Sequence, residues 1–163
     1  MSMENILTPP ELEEPWRYSY ISTFWDYTKD GDPFVREIFD RHYSRYHYKD
    51  GRKPLIFVGP GEKIVLIAKT RDAIFIWRKF RSMDNQEGIN CAVFRNEGNA
   101  RSSDMILDAM QIAWARWPGE RLYTYVNPRK IKSPNPGYCF KKAGWRTCGE
   151  TKARKLLILE VRP

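Results

Sequence analysis

Residues 89–110 read INCAVFRNEGNARSSDMILDAM. An apolar run over residues 89–94 breaks into a turn holding Arg95, Gly98 and Ala100, and a segment with helical spacing follows, so a strand enters a helix through a glycine-bearing loop. Such a junction suits phosphate. The loop and the first helical turn leave backbone N–H groups without intrahelical partners, and the helix dipole adds roughly half a positive charge at that end. The same residues also read as a plain strand-to-helix connection, in which Gly98 permits positive φ and Ser102 or Ser103 caps the helix. Ile106, Ala109, Met110, Ala113 and Trp117 form one apolar stripe, which makes that face core, and Pro118-Gly119 ends the helix. Asp104 in the first turn suits the dipole and is expected to point away from the loop, with Arg95 and Arg101 more than offsetting its charge.

The remaining composition bounds the class of protein. With 163 residues, one domain that buries about two thirds of its unfolded surface is expected. Cys91, Cys139 and Cys148 are an odd number with no C-x-x-C pair and no histidine cluster, which argues for reduced thiols and against structural zinc. No charged-then-apolar leader opens the chain and its apolar runs fall far short of a membrane span, so the expectation is a soluble cytoplasmic protein with no membrane partner. The 28 Lys and Arg against 20 Asp and Glu give a net charge of +8. Because Glu4, Glu11, Glu13 and Glu14 fall early, the rest of the chain is more basic still. That surplus favours an anionic partner, whether a phosphate-bearing coenzyme or nucleic acid; a solvated basic surface is the alternative.

The chain divides into an N-terminal aromatic and acidic segment, residues 1–32, and a domain over residues 33–163. Within the first, WRYSYISTFWDY (residues 16–27) reads as packing. A helix is expected over residues 33–41, with Asp32 as cap and Pro33 at its first position. The run RHYSRYHY (residues 41–48) follows, and Arg41, Tyr43, Ser44, Arg45, Tyr46 and Tyr48 are candidates to neutralise phosphates and stack on bases. His42 is the natural base near neutral pH, or a hydrogen-bonded histidine at a helix end. Strands are expected over residues 53–58, 62–68, 73–80, 89–94, 121–126 and 155–161, and helices from residue 103 and around residues 138–143. Their order gives an α/β (α+β) domain: a mixed, mostly antiparallel sheet flanked by helices.

The loop spacing R-x-x-G-x-A resembles the pyrophosphate loop of the GNAT acyltransferase superfamily, and the order of elements from about residue 33 to 162 is similar to a GNAT domain. Asn127 at the end of the fifth strand and FKKAGW (residues 140–145) resemble the family's C-terminal element. The resemblance implies acetyl-CoA or another acyl-CoA as cofactor, held by Phe94, Arg95, Asn96, Gly98, Asn99, Ala100, Arg101 and Ser102. It implies direct aminolysis of the thioester between splayed fourth and fifth strands. The family's usual general acid is a tyrosine four residues before the glycine; Phe140 stands there, so Tyr138 becomes the candidate proton donor. His42-Tyr43-Ser44, TYVNP (residues 124–128) and the segment from Asn135 to Trp145 also resemble the Mom-type branch, phage proteins that modify DNA bases. In that branch a His-Tyr-Ser segment and an aspartate-proline belong to the active site, with Asn127 at the aspartate's position here. The implied roles are His42 as base, Tyr138 as proton donor and Asn127 as positioner of water or amine. The favoured reading is an acyl-CoA-dependent N-acyltransferase whose acceptor is an amine on nucleic acid or a modified DNA base. The alternatives are Mom-like base modification, acetylation of a small amine or protein, and a noncatalytic nucleic-acid-binding module.

Overall fold

A computed structural model describes residues 14–44, 49–51, 58–131 and 134–163. Arg45, Tyr46 and Tyr48 lie outside the described residues, as does the strand expected over residues 53–58 apart from Val58. Seven strands are described: β1 (Trp25–Thr28), β2 (Glu62–Ala68), β3 (Ala73–Lys79), β4 (Ile89–Asn96), β5 (Leu122–Val126), β6 (Arg146–Glu150) and β7 (Leu157–Val161). The helices are α1 (Pro33–Phe39), α2 (Ser102–Arg116) and α3 (Tyr138–Lys142), with a 3-10 turn at Pro15–Tyr18. One mixed sheet results, in the order β1-β2-β3-β4-β5-β7-β6. Every neighbouring pair is antiparallel except β4 and β5. The architecture is a mixed α/β domain consistent with a GNAT-like α+β fold.

Local chemistry explains the elements. Asp32 caps α1 by accepting from the Phe34 and Val35 N–H groups, and Pro33 fills the first helical position, where no donor is needed. The apolar stripe of α2 is buried against one sheet face. Two indoles fix its height: Trp25 Nε1 donates to the Met105 carbonyl and Trp77 Nε1 to the Ala109 carbonyl, each at 3.0 Å. The opposite face of the sheet is smaller and is covered by α1 through Val35, Ile38 and Phe39.

The aromatic N-terminal run packs, and its β1 is an edge strand of the same sheet as the rest of the domain. What holds it is Asp108, buried on α2. Its carboxylate accepts from Tyr20 Oη at 2.5 Å, Ser22 Oγ at 2.7 Å and the Phe24 N–H at 2.8 Å. Burial and then that carboxylate push the Tyr20 phenol up to about 12, so it remains a donor at any ordinary pH.

Candidate functional site

The parallel pair β4 and β5 forms only a short ladder. Register runs from Ile89 opposite Leu122 to Cys91 opposite Thr124 and stops there. Beyond it, among the described residues, β5 continues against β7 alone, while β4 keeps β3 on one side and has no strand on the other. A bulge accompanies the parting: Trp77 faces Cys91 but Ile76 faces Val93, which leaves Ala92 as the extra residue on β4. At the crotch of the fork Thr124 Oγ1 donates to the Cys91 carbonyl at 2.9 Å, closing the last gap between the strands. Burial pushes the Cys91 thiol well above its ordinary value, so it is no nucleophile.

A cleft of about 930 Å³ opens from the fork. It collects residues from distant parts of the chain: His42, Tyr43 and Ser44, the β4 edge from Asn90 to Asn96, Ser102, Asn127 and Tyr138 all line it. The three candidate catalytic residues therefore share one cavity. Phe140 lines it too, its ring edge-on to Phe94 at 6.0 Å and to Trp145 at 4.9 Å, so the position where the family has a tyrosine is an apolar wall here. Gly137, at φ 78°, caps α3 in the left-handed region and delivers Tyr138 to the cleft with its ring half exposed.

The geometry at His42 differs from that of a base. The Ser44 N–H donates to Nδ1 at 3.1 Å, with Ser44 Oγ 2.7 Å from the same nitrogen, so Nδ1 is an acceptor. Burial and then the charge of Arg95 push the imidazole down to about 4. At neutral pH the ring is uncharged and carries its proton on Nε2, where it is available as a donor. Tyr43 stacks on that ring at 4.4 Å, and it lines the cleft together with Asn127. The Asn127 side chain accepts from the Arg129 N–H at 3.1 Å, which holds the turn leaving β5 and leaves its amide nitrogen as the group able to position a substrate.

The loop after β4 departs from its sequence reading in three respects. Gly98 does not adopt positive φ; it is there for space, because a Cβ would stand 2.1 Å from Asp72 Oδ2. Neither Ser102 nor Ser103 caps α2, whose N-cap is Arg101 without a side-chain bond. Asn96 organises the turn instead, accepting from the Gly98 N–H at 2.9 Å and donating to the Ala100 carbonyl at 2.7 Å and to Ser102 Oγ at 3.1 Å. The backbone N–H groups of residues 99–103 find no partner among the described residues. Asp104 is exposed.

The cations are more committed than the sequence suggests. Glu97 takes Arg41 in a fork, Nε to Oε2 at 2.7 Å and Nη2 to Oε1 at 2.6 Å, and also takes Arg95 Nε at 2.7 Å. Arg41 is thus a clamp between α1 and the loop, not a free phosphate contact. These bonds, Arg41's first, hold the Glu97 carboxyl at about 2, against an ordinary 4.5. Since the folded value is the lower one, the clamp's contribution is complete above about pH 4.5 and fades as pH falls toward 2. Glu97→Gln should accordingly narrow the difference between the urea midpoints measured at about pH 6 and about pH 3. An unaltered difference would show that the clamp adds nothing to folding.

Sequence reasoning missed Lys130, Arg154 and Leu156, which line the cleft from loops with no recognisable motif. It also missed the bulge at Ala92, which depends on β3 for its register. No described helix is long and apolar enough to cross a membrane. The chain matches no family model, no curated protein and no solved structure.

Proposed function

We propose that the protein is an acyl-CoA-dependent N-acyltransferase of the GNAT type. The observation that carries this reading is the fork: two parallel strands part at a bulge, and the loop and helix start that follow β4 present a run of unpartnered N–H groups at its rim. The N–H groups of residues 99–103 are a fitting cradle for a pyrophosphate. When bound, the coenzyme supplies the activated acyl thioester. The edge of β4 beyond Cys91, which no described strand covers, offers backbone donors where negative charge develops in acyl transfer. His42 adds a second donor through Nε2–H, and Tyr138 is the phenol available to give up a proton in the cleft.

The test is isothermal titration with coenzyme A, followed by turnover of acetyl-CoA with amine acceptors. For an active pair, Tyr138→Phe is expected to lower kcat by about 10²-fold with little change in KM. An unchanged kcat would leave the ring as a wall of the cleft and solvent as the donor. A second reading, Mom-type base modification, is favoured by one juxtaposition. His42, Tyr43 and Ser44 line the same cleft as Asn127, which brings the His-Tyr-Ser segment and the Asn-Pro turn to one cavity. Mass spectrometry of nucleosides from DNA of expressing cells separates the two readings.

A further inference from the structure

Between residues 129 and 155 the chain carries nine Lys and Arg and one acidic residue, Glu150, a surplus equal to that of the whole protein. Lys132 among them lies outside the described residues. The fold concentrates the others. The turn after β5 brings Arg129 and Lys130 beside the β6–β7 hairpin loop, where Arg129 Nη2 donates to the Arg154 carbonyl at 2.6 Å. That hairpin loop is closed by Thr151 and Leu156, N–H to carbonyl at 2.8 Å and N–H to Oγ1 at 2.9 Å. Its tip exposes Lys152, Arg154 and Lys155, with Lys155 at φ 55°. Lys130 and Arg154 line the cleft itself.

Few of these charges are neutralised. Lys155 approaches Glu150 at 3.9 Å, and Arg146 is bound to Glu160. Among the described residues, Arg129, Lys130, Lys141, Lys142, Lys152 and Arg154 have no carboxylate within ion-pair distance. Uncompensated cations held on two cross-bonded loops form a track for a chain of negative charges. Beside the track, inside the cleft, stand Tyr138 at 54% exposure and Tyr43 at 37%.

We propose that this rim is the binding track for a nucleic acid strand, whose phosphates lie along Arg129, Lys130, Lys152 and Arg154 while one nucleotide enters the fork past Tyr138. This names the acceptor class of the proposed transferase and rests on the acceptor using the same cleft. Aromatic faces behind a cationic rim suit bases, which stack at about 1–3 kcal/mol each. An anionic membrane would need apolar anchors on the hairpin tip, and TKARK (residues 151–155) has none. Arg41 is not part of the track, because Glu97 occupies it.

The experiment is fluorescence anisotropy of a labelled single-stranded DNA of about 12 nucleotides, a length one small domain tracks, over a salt series and without coenzyme. The parent is expected to show a log-log slope between about −3 and −6. Lys130→Ala/Lys152→Ala/Arg154→Ala should shrink that slope by about two units, at about 0.7 per lost phosphate contact. Lys29→Ala/Lys69→Ala/Lys79→Ala, which removes equal charge from the β1–β3 half of the sheet, should leave it within about half a unit. Equal losses in both triple variants would mean net charge without a track and would overturn the proposal. So would absent DNA binding, or preferential binding of anionic phospholipid vesicles. The result is independent of coenzyme titration: DNA binding without coenzyme binding sinks the transferase reading alone, and the converse sinks the track alone.

Discussion

Replacing Asp108 with alanine is expected to destabilise the protein by about 3 to 4 kcal/mol, seen as a fall in Tm of roughly 10 °C. The carboxylate is 5% exposed and accepts three hydrogen bonds from residues more than 80 positions away. Truncation leaves Tyr20 Oη, Ser22 Oγ and the Phe24 N–H facing a partly buried gap, and a buried donor left unpaired costs about 1–3 kcal/mol. The three losses do not add fully, because the 20–24 segment can lift away and rehydrate. Tyr20→Phe, which removes one donor and leaves the other two satisfied, should cost only about 1 kcal/mol. If Asp108→Ala and Tyr20→Phe proved equally mild, β1 would be held by apolar packing and not by this carboxylate.

That carboxylate also explains which parts of the fold were legible in the sequence. Strands β2 and β3 have long β-branched and aromatic runs that begin where the sequence reading places them, at Glu62 and Ala73. Helix α2 follows its apolar stripe to within a residue at its start. Strand β1 has only four residues in an aromatic run without alternation, and its place depends on Asp108 and on pairing with β2. Strand β6, Arg146–Glu150, is exposed throughout and bulged at Cys148, so no hydrophobic period marks it; pairing with β7 makes it a strand.

The candidate site divides in the same way. Residue types chosen for their chemistry, His42, Tyr43, Ser44, Asn127 and Tyr138, do meet in one cleft. Their protonation and partners were not legible, because those follow from neighbours brought in by the fold. Ser44 decides which nitrogen of His42 carries the proton, and Glu97, 56 positions from Arg41, removes that arginine from the set of free cations. The charge surplus was visible in the composition. Its concentration in two loops that touch only after folding was not.

The largest effect on ligand binding is expected at Gly98. Gly98→Asp should weaken coenzyme A binding by at least about 100-fold, or about 2.7 kcal/mol, in isothermal titration. Backbone conformation is not the cause, since the residue does not need positive φ. The cause is volume and charge. A Cβ at position 98 would meet the Asp72 carboxylate, which Thr70 Oγ1 holds by a 2.5 Å hydrogen bond, and the new carboxylate would lie beside the N–H groups that would receive the pyrophosphate. Around this loop Arg41 and Arg95 already share Glu97, so few cations are left to absorb another negative charge. Gly98→Ala separates the two causes: it adds the Cβ without the charge and should cost much less, because the Asp72 side chain can swing aside. Asp72→Asn should act in the opposite sense and tighten binding by a few-fold, since it removes a carboxylate from the same spot without adding volume. Coenzyme binding that is indifferent to both Gly98→Asp and Asp72→Asn would place the pyrophosphate elsewhere, and the loop would then be only the connection between β4 and α2.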